Sequence, residues 1–183
     1  GEGKPVWMLD ADVYYRLGLA YENVDKIEAL KYYKLAVSEG EKLGEKEYYV
    51  TWEATQFFFM TLAYGKLGNK KKEQGGFNRL IDCSEAHIDD NTQLDYFSDL
   101  RQDFVVFDGD VAKRNYVNCC YMAALGWYGK GDLVRTQEYV EKGMAVDSSH
   151  QGLQFIKSIG RRAPKLKQED PTLLRTAKWK TSK

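Results

Sequence analysis

Two histidines, three cysteines and a run of aspartates are the side chains through which this 183-residue chain could do chemistry. A general base must sit within hydrogen-bond reach of the proton it takes. His87 instead falls at the end of a predicted helix, where a cation suits the helix dipole, and His150 falls in a turn. Both read as structural. Cys83, Cys119 and Cys120 are odd in number, and the adjacent pair would point about 100° apart on a helix, poor geometry for a disulfide. No C-x-x-C spacing suggests zinc. The cysteines read as reduced and structural, which points to a reducing, cytoplasmic setting. Asp89, Asp90, Asp95, Asp99, Asp103, Asp108 and Asp110 invite a Ca²⁺ reading. An EF-hand needs glycine sixth and a bidentate glutamate twelfth, and that order is missing. Asp108 and Asp110 read more simply as caps of a helix beginning near Val111. The sequence holds no Gly-rich phosphate loop, G-x-S-x-G elbow or H-E-x-x-H. The expectation is a chain that is not an enzyme, with no catalytic residue, cofactor or metal.

The elements that carry these residues are helical. Hydrophobic residues make up 43% and charged residues 30%, enough apolar side chains for a real core. The longest apolar run, Phe57 to Tyr64 with Thr61 inside it, falls well short of the ~20 residues of a membrane span. The start, Gly1-Glu2-Gly3-Lys4-Pro5, lacks both Met and an apolar h-region, which suggests processing or a fragment of a longer protein. Net charge is zero but unevenly spread. Residues 161–183 carry Arg161, Arg162, Lys165, Lys167, Arg175, Lys178, Lys180 and Lys183 against Glu169 and Asp170. Such a tail, with Trp179 inside it, could meet nucleic acid, a membrane surface or an acidic protein. Broken by Pro164 and Pro171, it reads first as a solvated terminus, and a nucleic-acid partner is not expected.

The stretch Tyr14-Tyr15-Arg16-Leu17-Gly18-Leu19-Ala20-Tyr21, followed by Ala29, Tyr33 and Ala36, resembles a tetratricopeptide (TPR) repeat. Gly18 would let a neighbouring helix approach, with Tyr14 and Tyr21 filling the space on either side. The first hairpin is expected from Ala11 to Lys42, with Asp25 and Glu28 forming an acidic version of a capping box. A second hairpin begins near Glu45, carries Trp52, and turns at Leu67-Gly68-Asn69 before a helix from Lys70 to His87. A third runs from Tyr116 to Val146 around Gly129-Lys130-Gly131-Asp132. A seventh helix from Gln151 to Ile159 would cap the stack, since an end repeat otherwise leaves its apolar face in water. The equivalent aromatics Tyr21, Tyr64 and Trp127 are 43 and 63 residues apart, against ~34 in the repeat. The second repeat fits worst: Glu73 stands where a small residue is usual, and Gly75-Gly76 weakens its helix by about 1 kcal/mol each.

The expected fold is therefore all-α, a right-handed superhelical stack of about three TPR-like hairpins plus a capping helix. Residues 1–160 would form the repeat domain, with an insertion at 88–110, and 161–183 the basic tail. Residues 95–159 also resemble the C-terminal TPR region of large bacterial proteins with an N-terminal mutarotase-like β-supersandwich. Asp95-Tyr96-Phe97, Phe107-Asp108-Gly109-Asp110, Arg114-Asn115, Cys120-Tyr121-Met122-Ala123-Ala124-Leu125-Gly126 and Val146-Asp147-Ser148-Ser149-His150-Gln151-Gly152 carry that likeness. Ser148 departs from it where Pro is usual.

In TPR stacks the fifth and ninth positions of each first helix face a concave groove. The resemblance places Tyr15 and Leu19, Phe58 and Leu62, and Tyr121 and Leu125 there. All six are apolar or aromatic, unlike the Lys, Arg and Asn of a clamp for a peptide's terminal carboxylate. Large exposed apolar patches are rare, so something should cover the groove: a peptide or protein, the insertion, or an N-terminal domain of the same protein. In the insertion Tyr96, Phe97, Phe104 and Phe107 are expected to pack against a hairpin face, since structureless loops longer than ~12–15 residues are uncommon. The expected function is a non-catalytic protein–protein or interdomain scaffold, a C-terminal module of a larger bacterial protein. The alternative is an accessory module of a carbohydrate-associated enzyme, lending the insertion to a ligand site.

Overall fold

The computed structural model describes residues 10–42, 54–90 and 111–162, the side chains of Val111 and of residues 159–162 excepted. Seven helices account for them: α1 (Ala11–Tyr21), α2 (Lys26–Glu41), α3 (Ala54–Lys66), α4 (Lys70–His87), α5 (Val111–Gly129), α6 (Leu133–Val146) and α7 (Gln151–Arg162). No strand occurs among the described residues, so the chain is all-α there. None of these helices is long and apolar enough to cross a membrane. Trp52, the insertion aromatics Tyr96, Phe97, Phe104 and Phe107, and the tail from residue 163 lie outside the described residues, as do most of the clustered aspartates.

Local chemistry sets the helix boundaries. The Asp25 side chain accepts from the N–H groups of Ile27 and Glu28 at 2.8 and 3.2 Å. Asn69 accepts from Lys72 N at 3.1 Å, and Asp132 from Arg135 N at 3.0 Å. Each satisfies donors that a helix start leaves unpaired. The expected capping box is only half made: Asp25 N donates to Tyr21 O, and the Glu28 carboxylate accepts from Lys31 instead. α3 and α5 end alike, at Gly68 and Gly131 with φ of 81° and 79°. In each, the residue after the glycine donates back to a carbonyl, Asn69 to Tyr64 and Asp132 to Trp127, closing a Schellman turn.

Counted from these caps, the second helices share one pattern. Eight residues on stand Tyr33, Phe77 and Val140; eleven on stand Ala36, Leu80 and Gly143; all six are buried. Four residues on stand Ala29, Glu73 and Thr136. Glu73 is accommodated because Gly65 has no side chain: a Cβ there would stand 1.9 Å from the Glu73 Oε1. α4 runs unbroken through Gly75-Gly76, with the Thr61 side chain occupying the space where Gly76 would carry a Cβ. Packing of Phe77, Leu80 and Ile81 holds the helix through that weak point.

Each helix of a pair packs on its partner: α1 on α2, α3 on α4, α5 on α6. Each second helix also meets the next first helix, α2 with α3, α4 with α5 and α6 with α7. The first helices touch in series, α1 with α3, α3 with α5, and α5 with α7. Two apolar clusters fill the layers. Tyr15, Ala29, Tyr33, Ala36 and Ala63 form the smaller. Phe57, Phe58, Phe77, Leu80, Met122, Leu125, Val140, Leu153 and Ile156 belong to the larger. Tyr33 lies flat against Gly18, where a Cβ would meet its ring at 2.5 Å.

Candidate functional site

The row formed by α1, α3, α5 and α7 bears a small apolar cleft of about 70 Å³. Phe58 and Phe59 come from α3, Tyr121, Leu125 and Tyr128 from α5, and Phe155 and Ile156 from α7. Small-molecule sites run to ~300–1,000 Å³, so this hollow seats a side chain rather than a cofactor. Its position follows from the packing of first helix on first helix. Thr55 Oγ1 and the Tyr121 hydroxyl lie 2.9 Å apart and tie α3 to α5. Asp12 and Gln56 tie α1 to α3 through two bonds: Gln56 Nε2 donates to Asp12 Oδ1 at 3.0 Å, and Asp12 N donates back at 3.2 Å.

Of the six residues expected in a groove, Phe58, Tyr121 and Leu125 line this cleft together. Tyr15 does not line it but is buried in the smaller cluster, its ring 5.7 Å from Tyr33 and 5.5 Å from Phe59. Leu62 is half-buried against both apolar clusters, and Leu19 is 40% exposed on α1. The cleft also draws on residues the sequence did not single out. Phe155 is 52% exposed, the most exposed aromatic among the described residues. Arg16 places its guanidinium 5.2 Å from the Phe59 ring centroid. The signal for Phe155 was present in α7: Leu153 and Ile156 turn inward, and Phe155 lies on the side they leave free.

The N-terminus of α7 explains much of the segment Asp147 to Gly152. His150 Nδ1 accepts from Leu153 N at 3.2 Å, making His150 the helix cap. Its ring lies 5.2 Å from that of Tyr121, and burial holds its pKa below the usual histidine value. A neutral ring suits this cap, because the capping nitrogen must keep a lone pair. Gly152 lets Tyr121 lie close: a Cβ there would meet the ring at 2.5 Å. Asp147 accepts from Ser149 N and Oγ, which lowers its pKa. His87, at the end of α4 as expected, meets Asp90 through Nδ1 at 2.7 Å.

Strongly shifted groups lie in the packing rather than in the cleft. Burial pushes the Tyr15 hydroxyl and the Cys119 thiol each up to about 12. Tyr33 is raised by burial and by its 2.7 Å bond to Glu22. Cys83, Cys119 and Cys120 are all buried, and none is in a disulfide. A second hollow, about 480 Å³, opens between α2, α3 and α4 beside Gly75 and Gly76. Its polar groups are paired: the Tyr64 hydroxyl donates to Glu41, and Lys72 reaches both. Among the described residues no group of three or more His, Cys, Asp or Glu is placed to hold a metal ion.

Compared with protein-family models the chain matches none, and no curated protein matches it.

Proposed function

We propose that this chain is a non-catalytic interaction scaffold of TPR type, three helical hairpins closed by α7, which grips a partner on the concave side formed by its first helices. Three features support the repeat reading. The second helices share caps and buried positions, the first helices touch in series, and each second helix meets the next first helix. The interaction reading rests above all on one observation: the first-helix row presents an apolar cleft with a half-exposed Phe155 at its edge. Covering Phe155 alone would contribute on the order of 1 kcal/mol, and Tyr121 and Tyr128 beside it are only half-buried. Strongly perturbed groups that mark catalytic pockets lie elsewhere, in the packed core.

A photo-crosslinking amino acid tests this reading. Placed at position 155 in cells that naturally make the protein, it should yield a discrete protein adduct. Placed at Lys34, on the outer helix α2, it should not. Equal adducts from the two positions, or none from position 155, would overturn the assignment of the cleft.

A further inference from the structure

The charge on the two helix rows is segregated. Over the described side chains α1, α3, α5 and α7 carry Arg16, Lys66, Lys113, Arg114 and Lys157 against Asp12, and Lys66 is paired with Glu22 at the end of α1 at 2.6 Å. The second helices α2, α4 and α6 carry nine Lys or Arg and eight Asp or Glu, close to balance. The one acid of the first row is bonded to the Gln56 amide. Among the described residues Arg16 is the only charged one lining the cleft; it is exposed, and no carboxylate among them pairs with it. Its guanidinium lies instead over Phe59. That stack fixes its place beside the apolar floor and leaves its N–H groups for a planar acceptor. An apolar hollow edged by an unpaired arginine, on a row with a positive excess, has a definite complement.

We infer that the occupant of this cleft is an acidic amphipathic protein segment. Its apolar side chains seat against Phe58, Tyr121 and Phe155, and a carboxylate meets Arg16. This rests on the reading of the cleft as an interaction surface, and adds the chemistry of the partner. The Arg16 guanidinium draws an acidic segment to the cleft, and the apolar hollow retains it. A nucleic-acid strand fits less well, because a strand-binding groove lines several cations along the phosphates, whereas this cleft holds one.

The test is a display selection of random peptides on the full chain, counter-selected on the Phe155→Arg protein. The expected winners are net negative, with apolar residues three or four apart. Arg16→Glu should weaken them about tenfold, and replacing the peptide's acid by Lys should restore most of that loss. Phe155 and Arg16 are both exposed, and an unchanged thermal melt would show that each variant folds. Winners that depend on Phe155 but show no acidic bias overturn the partner's chemistry while leaving the cleft an interaction surface. If no winner depends on Phe155, both readings fall. Salt-sensitive binding of a single-stranded oligonucleotide, lost in Arg16→Glu, would overturn the protein segment in favour of nucleic acid. Self-association of the chain that Phe155→Arg abolishes would assign the cleft to a second copy and overturn it too.

Discussion

Tyr15 and Tyr121 stand at equivalent places in the sequence pattern yet do different work. Tyr15 is buried between Tyr33 and Phe59, so Tyr15→Ala removes a core ring and should cost about 3–5 kcal/mol, read as a lower urea midpoint. Tyr121 keeps an edge on the cleft and one hydroxyl bond, to Thr55. Tyr121→Phe should cost about 0.5–1.5 kcal/mol, the worth of one such bond. The buried acids add a pH signature. Cys119 and Tyr15 are raised from 9.0 and 10.0 to about 12, so the folded state holds their protons more tightly than the unfolded chain does. Their contribution is complete below pH 9 and is lost as pH rises from 9 toward 12. Denaturation midpoints should therefore fall steeply across that window, and Cys119→Ala should flatten part of the fall. A midpoint that stays level to pH 12 would mean these groups are not shielded as the packing implies.

Two glycines make opposite predictions at the scale of elements. Gly68 sits at φ 81°, where an L side chain is strained, so Gly68→Ala should destabilise by about 1 kcal/mol. Gly75 lies inside α4 with open space where a Cβ would go, and Gly75→Ala should stabilise by about 0.5–1 kcal/mol. Thermal melts of the two variants should move in opposite directions. Boundaries like these were legible in the sequence because they are local. Asp25, Asn69 and Asp132 announce their helices, and Gly68 and Gly131 announce the stops, through bonds only a few residues long. Glu73 was harder to read. Its fit depends on Gly65 in another helix, and a mismatch judged within one segment cannot reveal such a partner.

The cleft belongs to the whole molecule, and that is why the sequence showed only part of it. Phe58, Tyr121 and Leu125 were expected from a resemblance judged one helix at a time, whereas Arg16 and Phe155 join them only once α1, α3, α5 and α7 lie side by side. A helix at α7 was expected because an end repeat would otherwise leave its apolar face in water, and Leu153 and Ile156 on it are almost fully buried. Its second role came from the face left over. The two roles are separable by substitution. Leu153 is fully buried against Gly143 and the large apolar cluster, so Leu153→Ala should cost about 2–5 kcal/mol of stability. Phe155 is half-exposed, and Phe155→Ala should change stability by no more than about 0.5 kcal/mol while removing most peptide binding. Urea unfolding and fluorescence anisotropy on the same two proteins give both numbers. If Phe155→Ala destabilised as much as Leu153→Ala, Phe155 would be holding the cap in place. The ring's exposure would then reflect the end of the packing rather than a seat for a partner.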